Sequence, residues 1–244
     1  MAERERVQLE RGFVLHQRAY LNTSQLLECL TEHHGVIGLV AQGSRRRSSG
    51  RRAMLQPFSP LRLSWTRRTD LGRLTGVEAA GPAFELSGDS LFAGFYVNEL
   101  LLRLMGRGDP NEAVHSCYSR CMADLATASA TARTVRLFEL RLLRALGYGI
   151  ELELDVETGQ PIRPEGRYRF QPEHGFSPCG GSEADAESYG GAELISLREE
   201  CLDDAGSLRA ARRLLARSLS IYLGDRPLRT RSILEEVVAR ELNR

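Results

Sequence analysis

The spacing of apolar and polar residues changes near residue 82, and the two parts of the chain predict different kinds of structure. Before that point, short runs rich in Val, Leu, Phe and Thr are separated by turn residues, which predicts strands over 12–18, 24–31, 36–42, 54–65 and 73–79. Five short strands must close on themselves to hide their edges. We therefore predict an α+β protein that begins with a five-stranded OB-type β-barrel in residues 1–82.

After residue 82 the apolar spacing becomes helical. Ser87 is placed to cap a helix that reaches about Met105, and apolar residues surround most of this helix, which predicts a central place in the core. Another helix is predicted over 132–146, with Gly147 placed to end it in a left-handed conformation.

The helix between these two has the clearest start signal. The stretch DPNEA offers Asp109 as N-cap, Pro110 at the first helical position and Glu112 to complete a capping box. An amphipathic helix is predicted from Ser207, and a last helix after Pro227. Residues 83–244 are thus expected to form a helical C-terminal domain.

One segment of that domain, 151–204, is predicted to be an irregular insertion. It is rich in Gly, Pro and Ser and holds 14 acidic residues against 4 arginines.

The charge of the chain is segregated along its length. The formal net charge is only +1, yet residues 1–76 hold 13 arginines against 6 acidic residues. A near-neutral total therefore does not argue against a polyanionic partner, because the local field matters more. All 33 basic residues are arginine, for which codon bias is the simplest explanation. The absence of lysine excludes a P-loop lysine and a Schiff-base lysine.

Five arginines lie within eight residues between two predicted strands: Arg45, Arg46, Arg47, Arg51 and Arg52. Guanidinium groups are hard to desolvate and bind phosphate through two parallel hydrogen bonds. The loop could be merely solvated, but we favour contact with a sugar-phosphate backbone. Strand ends could extend the track through Arg18, Arg67 and Arg68, and Tyr20 is the best candidate to stack on a base.

A second basic surface is possible on the helix predicted from Ser207. Its polar face carries four arginines: Arg209, Arg212, Arg213 and Arg217. This stripe could bind DNA, or it could pair with the acidic residues of 151–204. We slightly favour pairing, since segments of opposite charge within one chain tend to meet.

No catalytic arrangement is evident. The five histidines are dispersed without an HExxH motif, and no serine stands in a GxSxG motif, so we predict no enzyme and no cofactor. The five cysteines form no CxxC pair and are expected to be reduced. The charged start of the chain does not resemble a secretory signal and no run is apolar enough to span a membrane, so a cytoplasmic location is expected.

Five motifs in order resemble the bacterial RecO recombination-mediator family. They are GFVLHQRAYLNTSQLLECLTEHHGVIGLVAQGSRR, LQPFSPLRLSW, AGFYVNELLLRL, RLFELRLLRALGYG and YLGDRPLRTRSIL. The resemblance implies an OB barrel, a helical domain, binding of single- and double-stranded DNA near the nucleoid, and annealing of complementary strands. It also implies that the recombinase is loaded onto DNA coated with single-strand-binding protein, and that RecR is a partner.

The resemblance also suggests a role for Arg136. The tail of single-strand-binding protein is acidic and ends in an apolar residue with a free carboxylate, which an arginine beside an apolar notch could hold. Arg141 and Arg144 are alternatives, and an ordinary surface arginine is the simpler interpretation of Arg136 taken alone.

The chain departs from the family at a zinc site that many members carry. Cys179 is the only thiol in the corresponding stretch, and Asp155 and Thr158 stand near where the first cysteine pair would fall. One thiol cannot build a four-cysteine site, so no zinc is predicted. The rival functions are an RNA-binding OB protein of translation or RNA processing, a nuclease or other enzyme with an unfamiliar site, and a protein-interaction scaffold.

Overall fold

Two units make up the chain, which divides near residue 128, and residues 228–230 belong to the first of them. A computed structural model describes residues 5–46, 50–127, 130–179, 188–224 and 228–230. The helix predicted after Pro227 lies almost wholly outside these residues, and so does Arg47.

Five strands of the first unit close into a barrel in the order β1-β2-β3-β5-β4. Their bounds are β1 Glu5–Tyr20, β2 Ser24–Thr31, β3 Gly35–Ala41, β4 Leu61–Arg67 and β5 Leu71–Ala79. Because β1 is long, its first half pairs with β4 and its second half pairs with β2. The prediction of a five-stranded OB-type barrel is therefore confirmed.

Gly12 is the point at which β1 changes partners. It lies opposite both Thr31 of β2 and Leu61 of β4. A Cβ at this position would lie 2.5 Å from the carbonyl oxygen of Leu30, so the close approach of the strands requires glycine. Alternate residues of the strands point inward to form the barrel core. The core includes the fully buried ring of Trp65.

The start of the fourth strand was predicted wrongly. Residues 54–60 do not pair in the barrel: a short helix, α1, covers Arg51–Met54, and β4 begins only at Leu61. Pro57 and Pro60 explain the difference, because proline cannot donate to a strand ladder. The first strand extends further than predicted, because residues 5–11 pair with β4.

Two helices complete the first unit, α2 Gly88–Leu104 and α3 Glu112–Thr127. The predicted cap of α2 at Ser87 is confirmed. The predicted cap of α3 is wrong, because Asn111 takes the place assigned to Asp109. The side chain of Asn111 accepts a hydrogen bond from the Val114 N–H at 3.0 Å, which a residue two positions earlier cannot reach.

The second unit combines helices with a small sheet. The helices are α4 Thr131–Ala145, α5 Gly191–Arg198 and α6 Ala205–Leu223. As predicted, a left-handed Gly147 terminates α4, with φ at +81°. Its N–H donates to the Arg144 carbonyl, and the next N–H donates to Leu143, an arrangement that satisfies the end of the helix.

The segment 151–204 is more regular than predicted. It contains a three-stranded sheet in the order β7-β6-β8, formed by β6 Arg167–Gln171, β7 Gly175–Pro178 and β8 Ser188–Gly190, and also α5. Tyr168 and Phe170 are buried while Arg167 and Arg169 are exposed. This alternation over only five residues was hidden by the surrounding Gly, Pro and acidic residues.

Candidate nucleic-acid interface

One row of side chains crosses the outer face of four neighbouring strands. Arg18 lies opposite Leu26, Leu26 opposite Val40, and Val40 opposite Arg73. The row spans three strand spacings, or about 14 Å. Arg18 and Arg73 are both exposed. The face therefore has an apolar centre with a guanidinium group at each end.

The arginine-rich loop, residues 42–52, leaves β3 at the same end of the barrel as the β1–β2 turn. The register places Gln25 at the start of β2 opposite Ala41 at the end of β3. The N–H of Arg45 donates to the Thr23 carbonyl at 3.0 Å and joins the loop to the turn.

The guanidinium groups of this loop are open to solvent where the structure describes them. Four of the five residues are exposed: Arg45, Arg46, Arg51 and Arg52. Within residues 5–46 and 50–127 no carboxylate forms an ion pair with any of them. Positive groups without a counter-charge among these residues are available to an external polyanion.

Tyr20 and Arg18 share the outward face of β1. His16 belongs to the same face, because the three residues alternate along the strand and are all exposed. Tyr20 is 37% exposed and is the last residue of β1, directly before the turn that Arg45 contacts. Its ring therefore lies at the same end of the barrel as the arginine-rich loop.

Arg67 and Arg68 differ in availability. The side chain of Arg67 forms an ion pair with Glu5, whereas Arg68 is exposed in the β4–β5 turn and has no ion pair with a described residue. Leu71 after this turn lies opposite Gly38, four residues before the arginine-rich loop begins, or about 13 Å along β3. Arg68 can therefore extend the positive surface, while Arg67 is already engaged.

Sequence reasoning missed Arg73, which was noted only as the start of a strand. Its outward position follows from the alternation in β5, where Gly72 and Leu74 are buried and Arg73 is exposed. Arg73 also lies opposite Thr66, and Thr66 opposite the exposed Arg6. The row thus continues with a further arginine around the barrel.

Arg107 is a second residue that the sequence did not point to. It lies between α2 and α3, where the N–H of Gly108 donates to the Val36 carbonyl at 3.0 Å. Its Nη2 lies 2.5 Å from Glu28 Oε1, and Glu28 faces outward beside the row. A Cβ on Gly38 would lie 2.7 Å from Arg107 Nη1, so this glycine leaves room for the guanidinium group. Arg107 therefore neutralises an acidic group on the positive face.

Replacing Arg107 by alanine is expected to lower the affinity for DNA by more than the loss of a single phosphate contact would. The Glu28 carboxylate would no longer be neutralised and would repel phosphate. The fall should be about tenfold, and the Arg107→Ala/Glu28→Gln variant should recover most of it. Titration of labelled DNA in a double-mutant cycle would measure the coupling. Equal affinities of the single and double variants would show that Glu28 does not act on DNA.

Asn98 supports the strand that carries Arg18 and Tyr20. The pairing of β1 with β2 shifts between Val14 and His16, and the carbonyl of the intervening Leu15 accepts a hydrogen bond from Asn98 Nδ2 at 2.8 Å. The Tyr118 hydroxyl donates to Asn98 Oδ1, also at 2.8 Å. One buried amide thus fixes the irregular part of β1 to α2 and α3.

A cluster of ionisable groups lies around the β2–β3 turn, away from the arginine-rich loop. The His33 N–H donates to Glu10 Oε1 at 2.7 Å, and His33 Nδ1 lies 3.2 Å from the same oxygen. Burial raises the pKa of Glu10, but the hydrogen bonds from His33 outweigh it and leave the pKa lowered. The hydrogen bond to Glu10 and its charge raise the pKa of His33, with smaller contributions from Glu32 and Glu112.

These shifts predict a pH-dependent contribution to stability. The stabilisation of the folded state by the raised pKa of His33 is fully present below the usual pKa of histidine, about 6.5. It is lost as the pH rises through the raised pKa. The part due to Glu10 is complete above its usual pKa and is lost as the pH falls through the lowered value. The Tm difference between the protein and its His33→Gln variant should therefore peak between about pH 4.5 and 6.5. Thermal unfolding against pH would measure it, with His174→Gln as the control, and a difference independent of pH would contradict it.

In the second unit, the candidate tail-binding arginines are engaged with carboxylates. Arg136 is 6% exposed, and its Nη1 lies 2.9 Å from Glu139 Oε2. Arg141 forms an ion pair with Glu200, and Arg144 Nη1 lies 3.4 Å from the same carboxylate. The simpler interpretation of Arg136 as a surface arginine is wrong, since it is buried.

One arginine of the basic stripe on α6, Arg213, contacts residues of the segment 151–204. Arg213 Nη2 donates to the Ser188 carbonyl at 3.1 Å, and its guanidinium carbon lies 4.8 Å from the centre of the Tyr189 ring. Arg209 and Arg217 are exposed and Arg212 is half-buried. The contacts described for Arg213 are thus with the carbonyl of Ser188 and the ring of Tyr189.

The described residues also bear on two other kinds of site, a membrane-spanning helix and a metal site. None of the helices described there is long and apolar enough to cross a membrane. The same residues bring together no group of three His, Cys, Asp or Glu side chains suited to a metal ion, and Cys179 is half-buried.

Comparison with known proteins covers nearly the whole chain. Residues 6–83 match the family model described as Recombination protein O N terminal, and residues 86–232 match Recombination protein O C terminal. A DNA repair protein RecO of Nitrosococcus oceani is 44% identical over 95% of this chain and 94% of its own length.

Similar proteins come from other bacteria. A DNA repair protein RecO of Coxiella burnetii is 40% identical over 94% of this chain and 99% of its own length. One of Haemophilus influenzae is 37% identical, with 94% and 96% covered. With both family models matched in order along a barrel followed by helices, the chain belongs to the RecO family of DNA repair proteins.

Proposed function

We propose that this protein is a recombination mediator that binds single- and double-stranded DNA without sequence preference, anneals complementary strands and helps to load the recombinase. The proposal is supported by the outer face of the barrel, where Arg18, Tyr20 and Arg73 lie toward the same end as the arginine-rich loop. Contacts of guanidinium groups with phosphates depend on salt and not on base sequence.

Annealing needs no bond to be made or broken. Two complementary strands repel each other through their phosphates, and a positive surface that neutralises part of this charge lowers the repulsion. The proposed action is therefore binding and positioning, without a nucleotide or metal cofactor. It would take place in the cytoplasm at the nucleoid, where chromosomal DNA is found.

The tail of single-strand-binding protein is proposed to dock on the second unit. Three arginines surround the end of α5: Arg141 and Arg144 contact the Glu200 carboxylate, and Arg133 Nη2 donates to the Glu200 carbonyl at 2.8 Å. An acidic tail could replace Glu200 in this cluster. The Nε of buried Arg136 has no hydrogen-bond partner within the described residues. Its guanidinium group could therefore also donate to a carboxylate of the tail if the ion pair with Glu139 opened.

RecR is retained as a proposed partner because of the family resemblance. The rival proposal of an RNA-binding OB protein would use the same loop, but the named relatives are DNA repair proteins. Competition between RNA and DNA strands of the same sequence separates the two proposals.

Annealing of complementary strands coated with single-strand-binding protein would test the proposal directly. We expect faster annealing with the protein than without it, and a smaller gain when the tail of single-strand-binding protein is removed. The Arg141→Ala variant should show the smaller gain even with the tail present, while it still anneals uncoated strands normally. Absence of any acceleration, with or without the coating protein, would overturn the proposed function.

A further inference from the structure

Leu21, at the tip of the β1–β2 turn, combines two unfavourable properties. It is 74% exposed, the highest value among the large apolar residues described as exposed. Its backbone is also left-handed, with φ at +51°, a conformation that costs energy for any residue with a Cβ. Glycine or asparagine would suit such a turn better. Neither packing nor turn geometry therefore explains why a leucine stands here.

The surroundings of Leu21 suggest a role in binding. Tyr20, which is 37% exposed, precedes it, and Thr23 after it accepts the hydrogen bond from the N–H of Arg45. The apolar tip is therefore anchored beside the guanidinium groups that are open to solvent. Side chains that wedge between bases in other DNA-binding proteins are likewise apolar and flanked by basic groups that hold the backbone.

We propose that Leu21 is a wedge that inserts between neighbouring bases of DNA, with Tyr20 stacking on a base that the wedge uncovers. This inference rests on the proposed DNA binding by the barrel, and it names which form of DNA the barrel prefers. Inserting a side chain costs stacking energy, and that cost is smallest where bases are already loosened. The preferred substrate is accordingly a junction between single- and double-stranded DNA rather than an uninterrupted duplex.

Leu9 of β1 is a second exposed leucine with a left-handed backbone. It has φ at +55° and is 49% exposed. Its conformation belongs to a bulge, since the pairing with β4 shifts between Val7 and Glu10 and the Leu9 N–H donates to Ser64 Oγ at 3.0 Å. The left-handed conformation of Leu21 belongs to the β1–β2 turn, and no bulge or side-chain hydrogen bond is described there. Leu9 therefore offers a matched control with the same residue type and similar backbone geometry.

The test compares Leu21→Gly with Leu9→Gly on a junction DNA that carries 2-aminopurine at the last base pair, under conditions in which the DNA is saturated. The wild-type protein and Leu9→Gly should raise the fluorescence, because the base is unstacked. With Leu21→Gly most of this rise in fluorescence should be lost. The ratio of its affinities for junction and duplex DNA should be about threefold lower than that of the wild type. Leu21→Met should restore both properties, since it keeps an apolar side chain.

Two further readouts separate the wedge from a structural role. Leu21→Gly should unfold at the same temperature as the wild type or higher, because glycine relieves the left-handed backbone. Its affinity for single strands should change little with the arginines intact. If the wild-type protein bound the junction without raising the fluorescence, or if Leu21→Gly raised it equally, the wedge would be overturned while the proposed DNA binding would stand. Failure of the wild-type protein to bind DNA at all would overturn the proposed function as well.

Discussion

Replacing the five arginines of the arginine-rich loop by alanine is expected to lower the affinity for DNA about 100-fold at moderate salt and to flatten its salt dependence. Each phosphate contact contributes about 0.7 to the slope of log affinity against log salt for single strands, and about 0.9 for duplex. If all five side chains contact phosphates, the slope should fall by about 3.5 for single strands and about 4.5 for duplex. Fluorescence anisotropy of labelled DNA at several salt concentrations would measure both effects.

A charge-matched variant is needed, because any loss of positive charge weakens binding to a polyanion. Five arginines outside the barrel can be replaced together: Arg120, Arg163, Arg169, Arg198 and Arg229. This control should keep a slope close to that of the wild type. An unchanged slope in the loop variant would refute the loop as a phosphate-binding element, and equal losses in both variants would show that only net charge matters.

Local sequence patterns predicted the elements whose structure depends on near neighbours. The strands β2 and β3 follow from short apolar runs bounded by turn residues, and α2 and α4 follow from a serine cap and a glycine end. The capping position of α3 was missed by two residues, because Asp109 and Asn111 are equally good caps by type and only the path of the chain decides between them.

The candidate site was predictable only in part. A run of arginines is visible in the sequence, but the position of Arg73 depends on the pairing of β3 with β5. The position of Arg107 depends on a contact with Glu28 that spans 79 residues of sequence. Arg136 shows the same limit for burial, since an arginine and a glutamate three residues apart normally predict the exposed face of a helix. Contacts between residues distant in sequence leave no local pattern to read.

Asn98→Ala is expected to be among the most destabilising single substitutions in the first unit. Asn98 is 2% exposed, and its loss would leave both the Leu15 carbonyl and the Tyr118 hydroxyl buried without the partner that Asn98 provides. Each such group costs about 1–3 kcal/mol, so the free energy of unfolding should fall by about 2–6 kcal/mol. A Tm about 10 °C lower is expected in thermal unfolding, with the exposed Asn22→Ala as the control.

A double variant tests whether the hydrogen bonds, rather than a cavity, are responsible. Tyr118→Phe removes the hydroxyl that Asn98→Ala would leave unpaired, so Asn98→Ala/Tyr118→Phe should be more stable than Asn98→Ala by about 1–3 kcal/mol. The double variant should still bind DNA less tightly than the wild type, because the Leu15 carbonyl remains unpaired and β1 carries Arg18 and Tyr20. If the second substitution restored no stability, the cost would come from lost packing, and the amide would not be what holds the bulged strand to the helices.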